Sequence, residues 1–305
     1  MRTPTASRSL PAYLSDARAR VDAVLADWGD RTEAWPPRIA DAMRYSLLGA
    51  GKRLRPTLVF ACHEAVGGAS PAIAELAAAI EVVHAYSLVH DDLPCMDDDD
   101  LRRGRATTHR AFDIPTATRA GFHMVALAGA VLAHGMEGLA VDGGARRAIA
   151  LELFRAAGAG GMIGGQALDL AAEGLASAGQ GLAQIHERKT GALIAASCVI
   201  GGLAGGAPAE GRVAEALRGY GASVGLAFQI YDDVLDATAT SDELGKTAGK
   251  DAARAKSTFV TVGGVDAART EAARLADVAV ARLRDGELVS PVLVELAHYI
   301  VTRPN

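Results

Sequence analysis

The sequence is short of the residues that staple small folds. It holds three cysteines in 305 residues, Cys62, Cys95 and Cys198, far apart and odd in number. No CxxC pair or zinc-ligand spacing occurs among them, which argues against a disulfide scaffold and thiol or zinc chemistry and fits a reducing compartment. Aromatic residues make up only 5% of the chain, and β-branched or aromatic runs are scarce, so no segment reads as a strand. No run of ~18 consecutive apolar residues is free of charge, so neither a membrane span nor stable membrane insertion is expected. The first residues, MRTPTASRSLPAYLSDARAR, lack the apolar core of a secretory signal. Their Arg and Ser faintly resemble a transit peptide, but Asp16 and a helical pattern follow at once, and a cytoplasmic location is expected. An excess of charge of one sign is also missing: 36 acidic against 31 basic residues give a net charge of −5. That balance gives no general affinity for nucleic acid or an anionic membrane. Any anion site must therefore be built from local clusters of Arg and Lys.

What is present is apolar and helix-favouring. Half of the residues are hydrophobic, mostly Ala, Leu and Val. Helical periodicity predicts helices over Tyr13–Asp27, Arg38–Leu48, Pro56–Val66, Ala72–Asp92, Pro115–Gly135, Arg146–Gly161, Met162–Leu170, Leu182–Gly201, Glu210–Leu235, Asp266–Leu283 and Val289–Val301. Short Gly-rich breaks such as Gly49-Ala50-Gly51 and Gly205-Gly206 separate them, and no long linker or repeat appears. The expectation is one all-α domain over residues 1–305, with about ten helices and a flexible tail of about ten residues at the N-terminus.

Two of these helices are apolar nearly all round and then end in acids: AIAELAAAIEVVHAYSLVHDD and GASVGLAFQIYDDVLD. Such helices belong in the middle of a bundle, where an uncompensated carboxylate is costly. In the second, Asp232 and Asp236 are four residues apart and share a face. In the first, Asp91 and Asp97 are six apart, and Leu93-Pro94 is predicted to end the helix and let Asp97 turn back towards Asp91. Neighbouring carboxylates raise one another's pKa, and a hard divalent cation bound through oxygen relieves them. Arg102-Arg103 follows directly, and a metal beside a guanidinium pair suits a polyphosphate. Further cations stand at loops and helix ends: Lys52, Arg53, Arg55, Lys189, Lys246, Lys250 and Lys256. Neither GAGK nor LGKTAGK has the spacing or the preceding strand of a P-loop. An acid-rich cation-binding protein would account for the aspartates but not for the cations, and there is no EF-hand loop.

The motifs GKRLRP, HAYSLVHDDLPCMDDDDLRRG, GGQALDL, KTGAL, FQIYDDVLD and LGKTAGKD…KST, in this order, resemble those of the trans-isoprenyl diphosphate synthases, in particular the farnesyl diphosphate synthase type. The resemblance runs from about residue 40 to 300. It implies an all-α fold around a deep central cavity, a homodimer, and head-to-tail condensation of an allylic diphosphate with isopentenyl diphosphate. It also implies Mg²⁺, with three ions when diphosphate is bound. On this resemblance Asp91, Asp97 and Asp92 hold metal from the first motif. Asp232 leads the second, with Asp233 and Asp236 in support. Arg102, Lys189, Thr190, Gln229, Lys246 and Lys256 match residues that grip the allylic diphosphate. Lys52, Arg55, His84 and Arg103 match the isopentenyl diphosphate site, and Gln166 and Asp169 match a polar pair near the reacting centre.

Tyr86 and Ser87 precede Asp91 by five and four residues, so Tyr86 lies about 7 Å down the helix axis. An aromatic ring there forms the floor of a tail pocket in members that make fifteen-carbon products, which favours farnesyl diphosphate over geranylgeranyl or geranyl diphosphate. One segment departs from the family pattern: IPTATRAGFHMVAL carries Phe122 where an Asp is usual, with Arg119 and His123 nearby. A class I terpene cyclase shares the fold, but its second metal motif is of the Asn/Ser/Glu type rather than DDVLD. A non-catalytic partner subunit is expected to have lost the aspartates or cations that this chain keeps.

Overall fold

With half of the side chains apolar and set at helical period, helices can satisfy the backbone while burying those side chains. The computed structural model describes residues 9–31, 35–172, 180–238 and 258–303. Lys246, Lys250 and Lys256 lie outside the described residues, as does most of the proposed N-terminal tail.

The elements are α1 (Leu10–Asp30), α2 (Pro37–Leu47), α3 (Leu54–Ala65), α4 (Ile73–Asp91), β1 (Leu101–Arg102), β2 (Arg105–Ala106), α5 (Thr108–Ala111) and α6 (Ile114–Glu137). They continue with α7 (Gly143–Ala157), α8 (Met162–Ala171), α9 (Gln180–His186), a π-helical turn (Glu187–Gly191), α10 (Ala192–Ala204), α11 (Arg212–Thr238), α12 (Phe259–Gly263), α13 (Val265–Asp285) and α14 (Pro291–Ile300).

The all-α expectation holds, with local corrections. The stretch expected as one helix over Leu182–Gly201 is three pieces, because the π turn interrupts it. Helices α5 and α12 are too short to show a period. The predicted helix Arg146–Gly161 starts instead at Gly143, where the Asp142 side chain accepts from the amide of Ala145 at 2.7 Å. Asp113 does the same for α6, accepting from the Thr116 amide at 2.6 Å, with Pro115 in the first turn. Two strands also occur, contrary to the strandless reading. Leu101–Arg102 pairs antiparallel with Arg105–Ala106 around a two-residue turn. Arg103 and Gly104 have φ of 53° and 74°, as a tight hairpin turn of this hand requires. Two-residue strands are below the length at which alternation can be read.

Helix α4 is buried on nearly every side and packs against α1, α2, α3, α6 and α10. Helix α10 is equally enclosed, between α3, α7 and α11, and α13 covers the far side of α11. By length and composition α4 and α6 could cross a membrane, but 67% and 50% of their apolar windows are buried inside the fold. The two acid-ended helices, α4 and α11, are therefore core elements whose C-terminal ends carry charge to the site.

The loop GAGKRLRP between α2 and α3 is fixed by Arg53, which the sequence presents only as one of a run of cations. Arg53 is buried, and it donates to Asp22 and Glu81 at 2.8 Å each and to the carbonyls of Leu47 and Gly49 at 3.0 and 3.1 Å. Glu81 is as buried as its partner. Arg53→Met leaves the Glu81 charge enclosed without its cation, so a stability loss of about 3–5 kcal/mol is expected in urea unfolding at pH 7. A loss below about 1 kcal/mol would show that Glu81 finds another partner.

Candidate active site

The ends of α4 and α11 face each other across one cavity of about 890 Å³, walled otherwise by α3, α6, α8 and the π turn. Asp91 and Asp97 line it from one side, and Asp232 and Asp236 from the other. The turn that delivers Asp97 is the one that Pro94 predicts. Helix α4 stops at Asp91, and the amide of Asp97 donates back to the Asp91 carbonyl at 2.7 Å. Asp98 completes the reversal with φ of 42°.

Asp92 departs from its expected place beside Asp91. Successive helical residues point about 100° apart, and Asp92 turns into the protein, where it is buried and accepts two N–H groups from Arg102. It is not among the cavity-lining residues. Asp92 thus fixes Arg102, which β1 carries to the cavity rim. Asp233 likewise faces inward, accepting from Gln229 at 3.4 Å and from the Phe259 amide at 3.1 Å.

The cations converge on the same space. Lys52, Arg55, Arg102, Arg103, Lys189 and the imidazole of His84 all line the cavity. Arg103 is held over the Gly51 backbone by donating to the Ala50 carbonyl at 2.5 Å. Lys189 donates to Asp169 at 2.7 Å, and Thr190 to Gln229 at 3.0 Å. Ser87 donates to the His84 carbonyl at 2.8 Å, so that hydroxyl is engaged within its own helix. Gln166 lines the cavity too, with neither end of its buried amide hydrogen-bonded to protein.

Burial and mutual repulsion set the electrostatics. Burial pushes the Arg55 guanidinium down to about 10, partly countered by Glu81 and reinforced by Arg103. Its Nε has no hydrogen-bond partner in the protein. Burial also lowers Lys52 and Arg103, each further depressed by neighbouring cations. His84 is held well below its ordinary value by burial and then by Arg55, Arg103, Arg102 and Arg53, so it is a neutral imidazole at pH 7. On the opposite wall burial raises Asp91 to about 6; Lys189 pulls it down, while Asp97 pushes it up. The cavity therefore sets a cluster of cations, with Arg55, Lys52 and Arg103 lowered by burial, against a cluster of carboxylates, with Asp91 raised by burial.

Among the described residues no three His, Cys, Asp or Glu side chains converge tightly enough to hold a metal by themselves. That fits Mg²⁺ in its usual setting, with one or two protein carboxylates and the remaining oxygens from water and substrate phosphate. The donors on offer, Asp91, Asp97, Asp232 and Asp236, are all hard oxygens, as Mg²⁺ requires.

Behind the carboxylates the cavity is apolar and ringed. Tyr86, 8% exposed, stacks edge-on to His90 at 5.5 Å, and His90 stacks edge-on to Phe122 at 5.2 Å. His90 is pinned by Nε2 at 3.0 Å from the Thr118 carbonyl and lies where a Cβ on Gly121 would fall. Phe122, noted as a departure, thus ends a three-ring wall across the tail end of the cavity.

The polyprenyl synthetase family model matches residues 36–295. The chain belongs to that family. A chloroplastic geranylgeranyl pyrophosphate synthase of Catharanthus roseus is 42% identical over 273 residues, 88% of this chain and 75% of that protein. The FPP/GFPP synthase of Zymomonas mobilis superposes with a TM-score of 0.81 at 35% identity, covering 96% of this chain and 98% of that one. A Helicobacter pylori geranyltransferase, solved with magnesium and isoprenyl diphosphate, gives 0.82 at 29% identity, with 98% of each chain covered. The protein is a trans-prenyltransferase of isoprenoid biosynthesis with isoprenyl diphosphate substrates.

Sequence reading missed Arg303, which lines the same cavity from the end of the chain. Two residues before the C-terminal Asn305 and in no motif, it gave no signal.

Proposed function

We propose that the protein condenses an allylic diphosphate, dimethylallyl or geranyl, with isopentenyl diphosphate in a Mg²⁺-dependent reaction whose main product is farnesyl diphosphate. The observation that carries this reading is the convergence of both kinds of charge on one cavity, where burial raises Asp91 on one wall and lowers Arg55 and Lys52 on the other. A metal diphosphate satisfies both at once. Asp91 and Asp97, and Asp232 and Asp236 opposite, hold Mg²⁺, three ions on the family's pattern; bound there, it neutralises the charge of the departing diphosphate.

Arg102, Lys189, Thr190 and Gln229 grip the allylic diphosphate beside the metal face. Lys52, Arg55, Arg103 and neutral His84 hold the second diphosphate. The allylic C–O bond breaks with its electron pair leaving on diphosphate. The isopentenyl double bond then attacks the allylic carbon, and a proton is lost from the isopentenyl unit to the released diphosphate, so no side-chain base is required. Gln166, with unmatched amide atoms at the wall, aims a dipole at the developing cation.

Tyr86 and the ring wall behind it favour the fifteen-carbon product. The geranylgeranyl synthases among the relatives favour a longer one. Incubation with Mg²⁺, isopentenyl diphosphate and either primer, followed by dephosphorylation and gas chromatography–mass spectrometry, is expected to give mainly farnesol. Geranylgeraniol would keep the reaction and take the stop away from Tyr86. No condensation from folded protein would sink the enzymatic reading. Tyr86→Ala is expected to shift the main alcohol one or more isoprene units longer, and an unchanged spectrum would remove Tyr86 as the floor.

We further propose a homodimer, formed through the apolar face that α6, α7 and α8 leave open. Phe122, Val125, Leu151, Phe154 and Ile163 are exposed there, and Phe154 lies against Gly129 to join α6 and α7 into one surface. Large apolar side chains left this exposed are typical of an interface.

A further inference from the structure

Arg303 is 97% buried, counting from an exposure of 3%, although it follows the last helix. Its guanidinium donates to Asp232 and to the Ile300 carbonyl. It lies over the Phe228 ring at 4.2 Å and 5.5 Å from the Tyr231 ring, so both rings add cation–π contacts that hold it beside Asp232. Its Nε has no hydrogen-bond partner in the protein. Arg303 and Lys52 also line both the main cavity and a smaller one of about 240 Å³ beneath α1.

A cation built into a fold against a carboxylate that is to hold another cation is a competitor. It supplies Asp232 with a counter-charge while the cluster holds no metal, and it repels a divalent ion arriving at the same oxygens. The cost of displacing it is returned when a diphosphate enters, because the released guanidinium, crowded by Lys52, gains an anion.

Resting on the functional reading above, we propose that Arg303 is a positioning residue that occupies Asp232 as a resident counter-cation and makes divalent-metal binding conditional on diphosphate. The second carboxylate cluster then stays closed to free metal and opens when metal and diphosphate arrive together.

The test is binding, not turnover. Mn²⁺ affinity is measured by electron paramagnetic resonance on the full chain, alone and with inorganic pyrophosphate. In Arg303→Met, Mn²⁺ alone is expected to bind about tenfold more tightly than in wild type, and the enhancement by pyrophosphate is expected to shrink by a similar factor, within the usual range of site–site coupling. Deletion of residues 303–305 should behave the same way and guards against misfolding of the substituted chain. Arg303→Lys keeps the charge and should leave Mn²⁺ binding near the wild-type value. A merely structural role would weaken binding in Arg303→Met. Unchanged or weaker Mn²⁺ binding in both Arg303→Met and the deletion would overturn the proposal. Wild type that binds no Mn²⁺ even with pyrophosphate would overturn the functional reading and this inference with it.

Discussion

Asp91→Asn is expected to abolish condensation while leaving the metal-free protein at least as stable as wild type. The two outcomes come from one cause. Asp91 ends a core helix and is raised to about 6, chiefly by burial. A carboxyl whose folded pKa exceeds its unfolded value favours the fold below the unfolded value, near 4, and loses that advantage as pH rises towards 6. At pH 7 the group is charged in both states, and the folded state carries the whole penalty. The amide removes it, so a gain of about 1–3 kcal/mol is expected in urea unfolding at pH 7, fading to nothing below pH 4. Turnover should meanwhile fall by at least about 10²–10³-fold, because a carboxylate that would hold Mg²⁺ against the departing diphosphate has been lost. Mg²⁺ with pyrophosphate should raise the melting temperature of wild type and do so less in the variant. Unchanged turnover would remove Asp91 from the mechanism. Lower stability would make its carboxylate a structural partner instead.

The two acid clusters were legible because their placement is a conflict visible in the letters alone: long apolar helices that end in charge. Pro94 and Leu93 even predict the reversal that returns Asp97 to Asp91, since proline cannot continue the hydrogen bonding. Directions were less legible than positions. Asp91 and Asp92 are identical neighbours in sequence, but a step of one helical residue sends one to the cavity and the other to Arg102. Arg53 and Arg55 show the same limit. Two residues apart in GKRLRP, one is consumed by Glu81 and Asp22 while the other faces the cavity with an unmatched Nε. Nothing local distinguishes them, because the partners come from α1 and α4. The hairpin around Arg103-Gly104 and the π turn around Lys189 are too short for any periodicity to show.

The π turn is also where a second large effect is expected: Gly165→Ala should lower kcat about 10²-fold with little change in helix content. The turn at Glu187–Gly191 carries Lys189 and Thr190 into the cavity, and it does so pressed between two helices. A Cβ on Gly165 of α8 would lie 2.2 Å from the Lys189 nitrogen and 2.6 Å from its Cα. These are backbone atoms, so no side chain can swing aside. On the other side Gly225 of α11 lies so close that its own Cβ would fall 2.7 Å from the Gly191 Cα. Packed on both sides, the turn can yield only by shifting along with its neighbours. Helix α8 and the π turn must part by about 1 Å, a displacement that can cost about 10²-fold when it misplaces a binding group such as Lys189. That movement would stretch the Lys189–Asp169 pair, which bridges the same two elements at 2.7 Å. Overpacking of this kind should cost about 1–3 kcal/mol in stability. Gly160→Ala, five residues earlier with nothing within 4 Å of its Cβ, is the control and should stay within about 0.5 kcal/mol of wild type. Wild-type kcat in Gly165→Ala would mean that Lys189 reaches the diphosphate without the π turn in its present place. The grip on the allylic substrate would then rest on Arg102, held by Asp92 from the opposite wall.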